Sequence, residues 1–466
     1  MPTQFLRRNY EYLHWLWLAI ALPVTFSMTF LTPPFQVQDE PAHFLKAAQI
    51  SAGNCFGVRD ADHNVGAYTP QGALDLVQVK EFDLFRKHPE KKVDVLRATH
   101  RRLSALQWGG NHVFSATSAI NYPPTGYVFH AIALRLSQVL HIDVLSSFFL
   151  ARLFNALGCV ALSCMAIALA TRGKWYLFIL LSLPMTLFQF GSLSQDGVLI
   201  SSAALGSAML SRYLDEEGSE SRRLMLITGS IFLFLVATLG KPVYMPVLLA
   251  AHLVVWMKNR GYAAGMVISA FCSLMIVVGW TAMGYSSGYS SAGSEVSASG
   301  QLEYLYSEPV ALITVVLQKT AINLTKEASG FIGIFGWRDT ELPVYSYGAV
   351  KALLALVLLV NCHAYIRKRQ SFSLIAAVAL ATVASMFLVS LALYLSWTPV
   401  GLQTVHGVQG RYMIPIACFA SVAMVDGYRS GSKSEKILLF FSFLAVVVML
   451  LVDVGAVFVL QERYYY

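Results

Sequence analysis

The sequence predicts an all-α polytopic membrane protein with about 11 transmembrane helices, its N-terminus in the cytoplasm, its C-terminus outside, and a large first extracytoplasmic loop bearing amphipathic surface helices. Three observations carry this. Of 466 residues, 56% are hydrophobic and only 13% charged, where a soluble domain has about a quarter charged. Apolar runs of the length needed to cross a bilayer, about 20 residues at 1.5 Å rise, recur along the chain. The Lys and Arg residues fall in short clusters between those runs. They form neither a stripe nor a tail, so the net charge of +8 marks topology and no nucleic-acid partner is expected.

The first run, residues 12 to 32, follows Arg7 and Arg8. It is long, and Phe30-Leu31-Thr32-Pro33-Pro34 offers no small-residue cleavage site, so it is expected to remain as a span. Further spans begin near residues 144, 175, 197, 224, 243, 262, 346, 373, 411 and 436. Residues 122 to 140 are a marginal candidate: Pro123 and Pro124 open the segment, and His130, Arg135, Ser137 and Gln138 interrupt its apolar positions. The positive-inside rule decides against it. With eleven spans, Arg7/Arg8, Arg172/Lys174, Arg212/Arg222/Arg223, Lys258/Arg260, Arg367/Lys368/Arg369 and Arg429/Lys433/Lys436 all face the cytoplasm. Counting the segment from Tyr122 as a span inverts every cluster after the first, so it is placed on the outer surface as an amphipathic helix.

The chain then divides into a cytoplasmic N-terminus and first span (1–32), an outer loop with surface helices (33–143), a six-helix membrane core (144–284), a second outer loop (285–345), and four C-terminal spans with a short outer tail (346–466). In the first loop, Pro41 and the spacing of Phe44, Leu45 and Ala48 predict a short amphipathic helix, and residues 94 to 108 another. The second loop opens with a near-duplicated Gly284-Tyr285-Ser286-Ser287 and Gly288-Tyr289-Ser290-Ser291, a flexible segment and candidate lid. It continues into a helix over Pro309 to Gly330. Tyr464, Tyr465 and Tyr466 suit an interfacial aromatic anchor. Five of six cysteines lie in apolar runs and only Cys55 in a long polar segment, which excludes a disulfide framework.

Candidate chemistry gathers on the outer side. Asp39 and Glu40 follow directly on the first span and precede Pro41, at a helix N-terminus. Carboxylates there cap helices and favour the positive end of the dipole by about 0.3 to 1 kcal/mol, but one acid suffices for that. The alternative is a base that takes the proton of an attacking hydroxyl. His43 shares a helical face with both, a weak possibility of a divalent-metal site. Asp196, in Ser194-Gln195-Asp196-Gly197, is either a cap or a second functional acid. Arg152, about two turns into the second span, has Asp143 or Asp196 as candidate partners. Lys241 and Arg411 lie at outer span ends against the positive-inside trend; they either bind phosphate or bridge to acids such as Asp339 or Glu341.

Taken in order, one span, Asp-Glu, a long outer loop, a surface helix, two spans around a basic turn and an outer Asp resemble the GT-C superfamily of integral-membrane glycosyltransferases over roughly the first half of the chain. More narrowly, Asp39-Glu40-Pro41-Ala42-His43, Tyr122-Pro123-Pro124, Lys241-Pro242-Val243-Tyr244, Gly333-Ile334-Phe335-Gly336-Trp337-Arg338-Asp339 and Gly410-Arg411-Tyr412 resemble a bacterial family of uncharacterised predicted membrane proteins placed in that superfamily. The resemblance implies transfer of a sugar from a polyprenyl-phosphate donor to an extracytoplasmic glycan or lipid-linked acceptor, in the bacterial inner membrane, alongside other envelope glycan assembly proteins. It assigns catalysis to Asp39 and Asp196, with Glu40 a rival for the first role; His43, Arg152, Lys241, Arg338, Arg411 and Tyr412 are the candidate substrate- or phosphate-binding residues beside them. Many members of the superfamily carry a soluble domain after the last span, and this chain stops at Tyr466. Two other functions remain open: a lipid-linked sugar transporter or flippase, and a non-catalytic assembly subunit.

Overall fold

The computed structural model describes residues 11–59, 65–97, 100–115, 117–286, 295–317, 321–322, 325–368, 371–424 and 432–466. The topology signals Arg7, Arg8, Arg369 and Arg429 and the Gly288-Tyr289-Ser290-Ser291 copy lie outside the described residues.

Among the described residues, seven helices are long and apolar enough to cross a membrane: Leu13–Leu31, Val144–Leu169, Glu220–Gly240, Arg260–Gly284, Val344–Asn361, Phe372–Trp397 and Phe441–Tyr465. They coincide with seven of the expected spans. We label α1 (Leu13–Leu31), α2 (Glu40–Ser51), α3 (Val128–Val139), α4 (Val144–Leu169), α5 (Lys174–Leu181), α6 (Pro184–Phe190), α7 (Asp196–Asp215), α8 (Glu220–Gly240), α9 (Met245–Lys258), α10 (Ala263–Ser286), α11 (Ala328–Gly333), α12 (Val344–Lys368), α13 (Phe372–Trp397), α14 (Ile414–Ala420) and α15 (Ser432–Tyr465).

The remaining four expected spans differ in kind. Pro184 breaks the helix expected from residue 175 into α5 and α6, because proline cannot donate to the preceding turn. The segments Pro242–Lys258 and Gly410–Ala423 are apolar but short. Helix α7 is the central one, buried over nearly its whole length against α4, α8 and α14. It is rich in Ser, Ala and Gly, whose small size permits close helix approach, and its hydroxyls are satisfied locally: Ser201 Oγ donates to the Gly197 carbonyl (2.9 Å) and Ser207 Oγ to that of Ala203 (2.7 Å). On the neighbouring helix Ser230 Oγ donates across to Gly206 (2.8 Å). Helix α10, by contrast, exposes Val267, Ile268 and Phe271, as a lipid-facing helix does.

Beyond the spans sits a layer built from the described residues between 33 and 143 and the N-terminal turns of α4, with its own core of Phe35, Phe44, Trp108, Phe148 and Leu134. The expected helix after Pro41 is α2, and the segment opened by Tyr122-Pro123-Pro124 is a 3-10 turn, Pro124–Tyr127, running into α3. Other expectations are corrected. The layer contains a three-stranded antiparallel sheet of Val58–Arg59, Val65–Pro70 and His112–Ser115, with Tyr68 opposite Phe114, so the fold is mostly but not wholly helical. Its strands are short and one ends in Pro70, which hides them from pattern reading. Of residues 94 to 108, Asp94–Arg97 and His100–Ser104 are helical and residues 105–108 are not, so the helical part ends earlier than expected. Over the expected helix Pro309 to Gly330 the described residues are helical apart from a turn at Glu327, with a π-turn at Leu312–Leu317 and α11 at its end.

The end of α15 is tied into this layer. Arg463 Nη2 donates to the Phe85 carbonyl and to Asp339 Oδ2 (2.8 Å each), and the Val93 amide donates to the Tyr464 carbonyl (2.8 Å). Tyr464 is therefore buried against Phe85 and is no interfacial anchor; Tyr466 remains exposed.

Candidate functional site

Asp39 and Glu40 are adjacent in sequence and do opposite things. The Glu40 side chain is wholly buried, whereas that of Asp39 is 51% exposed. Glu40 Oε1 accepts from Arg152 Nε (2.8 Å) and the Leu193 amide (3.0 Å), and Oε2 from Arg152 Nη2 (2.6 Å) and the Phe35 amide (3.0 Å). Arg152 spends its other donors on the Thr29, Thr32 and Pro33 carbonyls (3.0, 2.6 and 3.2 Å), the open end of α1. Arg152 thus pairs with Glu40 and not with Asp143 or Asp196. A carboxylate with four donors and a guanidinium with five acceptors leave nothing for a substrate, so this pair is structural.

What the pair holds is the loop that presents Asp39. Phe35 and Asp39 both adopt left-handed backbone (φ 64° and 63°), which is costly for a bulky residue and tolerable for Asp. Asp39 occupies the N-cap of α2 without its side chain capping the helix. Its Oδ2 instead lies 3.1 Å from Arg411 Nη2.

Arg411 is brought there by Gly410, whose backbone abuts α11 so closely that an added Cβ would meet the Phe331 nitrogen at 2.2 Å. The Gly410 amide donates to Glu327 Oε2 (3.1 Å), and Glu327 Oε1 accepts from Arg338 (2.7 Å). Arg338, a predicted substrate binder, is therefore apart from the cluster and supports the turn that carries Arg411. Glu327 is the member of this support that the sequence did not reveal; its only signal was its place before the Gly-Trp-Arg-Asp motif.

Arg411 Nε lies 3.4 Å from Asp196 Oδ2, and Asp196 Oδ1 accepts from Lys241 Nζ at 2.6 Å. Asp196 heads α7 yet turns both oxygens to cations, so it is more than a cap. Lys241 reaches it because Gly240 lets α8 close on α7: a Cβ there would meet Leu199 at 2.6 Å. Pro242 then keeps Lys241 extended (φ −142°). The Lys241 ammonium sits 3.8 Å from the Tyr412 ring centroid, and Tyr244 Oη donates to the Tyr412 carbonyl (2.9 Å). Lys241 and Arg411 thus pair with Asp196 and Asp39, not with Asp339 or Glu341; Asp339 is taken by Arg463. Burial pushes the Asp196 carboxyl up, but Lys241 and Arg411 outweigh it and hold it below the usual carboxylate range.

His43 lies one turn into α2, stacked on Tyr122 (5.7 Å between centroids, 14° between planes), with Nδ1 2.5 Å from the Tyr127 hydroxyl. Burial lowers its pKa to about 4 against the pull of Asp39 and Asp196, so the ring is neutral. Burial raises Tyr122 and Tyr127, which remain protonated. His43 faces Tyr127 and Glu40 faces Arg152, so the considered metal trio Asp39, Glu40 and His43 does not converge. Among the described residues no group of three or more His, Cys, Asp or Glu is arranged to hold a metal ion.

The spans and the site together define a multi-pass membrane protein in which two carboxylates, two cations and an aromatic cluster meet where several helices end. The chain belongs to the family described as Predicted membrane protein (DUF2142), which it matches over residues 22–420, a range that contains every residue of this cluster. No curated protein and no solved structure matches it.

Proposed function

We propose that the protein is a GT-C-type glycosyltransferase, facing outward from the bacterial inner membrane, that moves a sugar from polyprenyl phosphate to a glycan or lipid-linked acceptor with inversion. The observation that carries this reading is the convergence of half-exposed Asp39 on Arg411, and through it on Asp196 and Lys241. A base open to solvent beside two cations is what phosphate displacement requires. The Asp39 carboxylate takes the acceptor hydroxyl proton, and the oxygen forms a bond to the anomeric carbon. The bond from that carbon to the phosphate oxygen breaks, and the pair of electrons leaves with polyprenyl phosphate. Arg411 and Lys241 offset the charge gathering on the leaving phosphate, and Asp196 holds both cations in place. The eleven-span count, with the N-terminus inside, belongs to this reading, since it puts the cluster on the side where such donors are used.

Incubating purified protein in nanodiscs with polyprenyl-phosphate sugars and candidate glycans tests it. Transfer with inverted anomeric configuration is expected, and loss of transfer in Asp39→Asn; undiminished transfer in that variant removes Asp39 as the base.

One observation favours a second reading, transport of a lipid-linked sugar. Asp453 is fully buried in the middle of the last span, and neither of its oxygens has a partner among the described residues. Translocation of the labelled lipid in liposomes, without transfer and lost in Asp453→Asn, supports that reading against the first.

A further inference from the structure

Helix α3 packs one face inward, burying His130, Ala133, Leu134 and Ser137. Its other face is exposed and apolar: Val128, Ile132, Leu136, Val139 and Leu140. At 100° per residue these five fall within a sector of about 120°. Arg135 lies at the edge of that sector, three residues after Ile132 and four before Val139. It is exposed and makes no ion pair or hydrogen bond among the described residues.

The stripe lies beside α4, a helix long and apolar enough to cross a membrane that exposes apolar residues of its own. The α3 and α4 helices form a hairpin in which the Phe129 ring lies against Gly158, well inside the span. Beyond that contact α4 exposes Leu157 and Met165, and α1 exposes Phe26 and Phe30. The α3 stripe adds apolar surface beside α4 at the end of the molecule that carries Asp39, where α3 packs on α2. In water such a face is unfavourable, and a single uncompensated cation within it fits the phosphate level of a bilayer, where a long side chain keeps its stem in acyl chains and its charge on headgroups.

We propose that the outer face of α3 is embedded in the lipid leaflet on the Asp39 side, with Arg135 on lipid phosphate. This does not depend on the glycosyltransferase reading. A protein partner would have to cover the stripe and supply an acid for Arg135; the lipid supplies both coverings at once.

The test uses full-length protein in phosphatidylcholine–phosphatidylglycerol nanodiscs, with Cys55, Cys164, Cys272 and Cys362 replaced by serine. A nitroxide is attached in turn through Ile132→Cys, Leu136→Cys, Val139→Cys and, as the lipid-facing control, Leu157→Cys. Collision rates with oxygen above those with a water-soluble nickel chelate, as at the control, are expected at all three α3 positions. Higher nickel collision means water and overturns the proposal. Low collision with both reagents means a covering protein, a second copy included, and also overturns it. Arg135→Glu is expected to shift the Val139 label toward nickel access while Arg135→Lys leaves it in place. Unchanged access in Arg135→Glu overturns the phosphate contact.

Discussion

Arg411 is the residue on which the cluster turns, because among the described residues its side chain alone forms ion pairs with both Asp39 and Asp196. For the proposed transfer reaction, replacing it with alanine is expected to lower turnover by about 10²- to 10³-fold, the usual cost of losing one preorganised charge stabiliser. Arg411→Lys should recover only part, since one ammonium cannot span Asp39 and Asp196 with a planar fork. Single-turnover kinetics on folded variants measure both. The histidines set the response to acid. Burial holds His43 and His130 at about 4 against an ordinary 6.5. The unfolded chain therefore binds these protons first, so the stability they contribute is complete above pH 6.5 and is lost as the pH falls toward about 4. Thermal unfolding followed across that window should show the loss, and a His43→Gln variant should show a flatter profile; an unchanged profile would sink the assignment.

At the scale of elements, two supports fix the two halves of the site. The Glu40–Arg152 pair ties α2 and α4 to the end of α1, and leaving either charge buried alone costs about 3 to 5 kcal/mol. Glu40→Ala and Arg152→Ala should therefore lower the melting temperature sharply, while a paired apolar replacement at both positions should be milder; a double-mutant cycle reads the difference. Glu327 plays the corresponding part for Arg411. Glu327→Ala strands the Gly410 amide at a cost of about 1 to 3 kcal/mol. The expected result is reduced turnover with the fold retained, judged by circular dichroism beside the kinetic assay. Gly410→Ala should be worse, since its Cβ has no room against α11.

For the whole molecule, the cluster lies at one end of the helices, beside the layer formed by residues 33–143. In the proposed orientation that end faces away from the cytoplasm. Membrane-impermeant thiol labelling of intact cells should then reach a cysteine placed at Tyr466, which is exposed, and should not reach one at Glu217 in the turn between α7 and α8. The reverse pattern would invert the molecule and remove extracytoplasmic lipid-linked donors from its reach.

The sequence by itself determined the membrane class, the seven long apolar helices, and the helices after Pro41 and Pro124, because hydrophobic length and proline placement are local properties. It also singled out Asp39, Asp196, Lys241 and Arg411, since charges at span ends stand out against apolar runs. Only the tertiary structure decided that Glu40 and Arg152 form a closed pair while Asp39 stays open, because neighbouring residues at a helix start point in different directions and their partners lie far along the chain. Glu327 and the small sheet were hidden for the same reason: a backbone amide at Gly410 and a strand partner at Phe114 leave no mark on the local pattern that their contacts depend on.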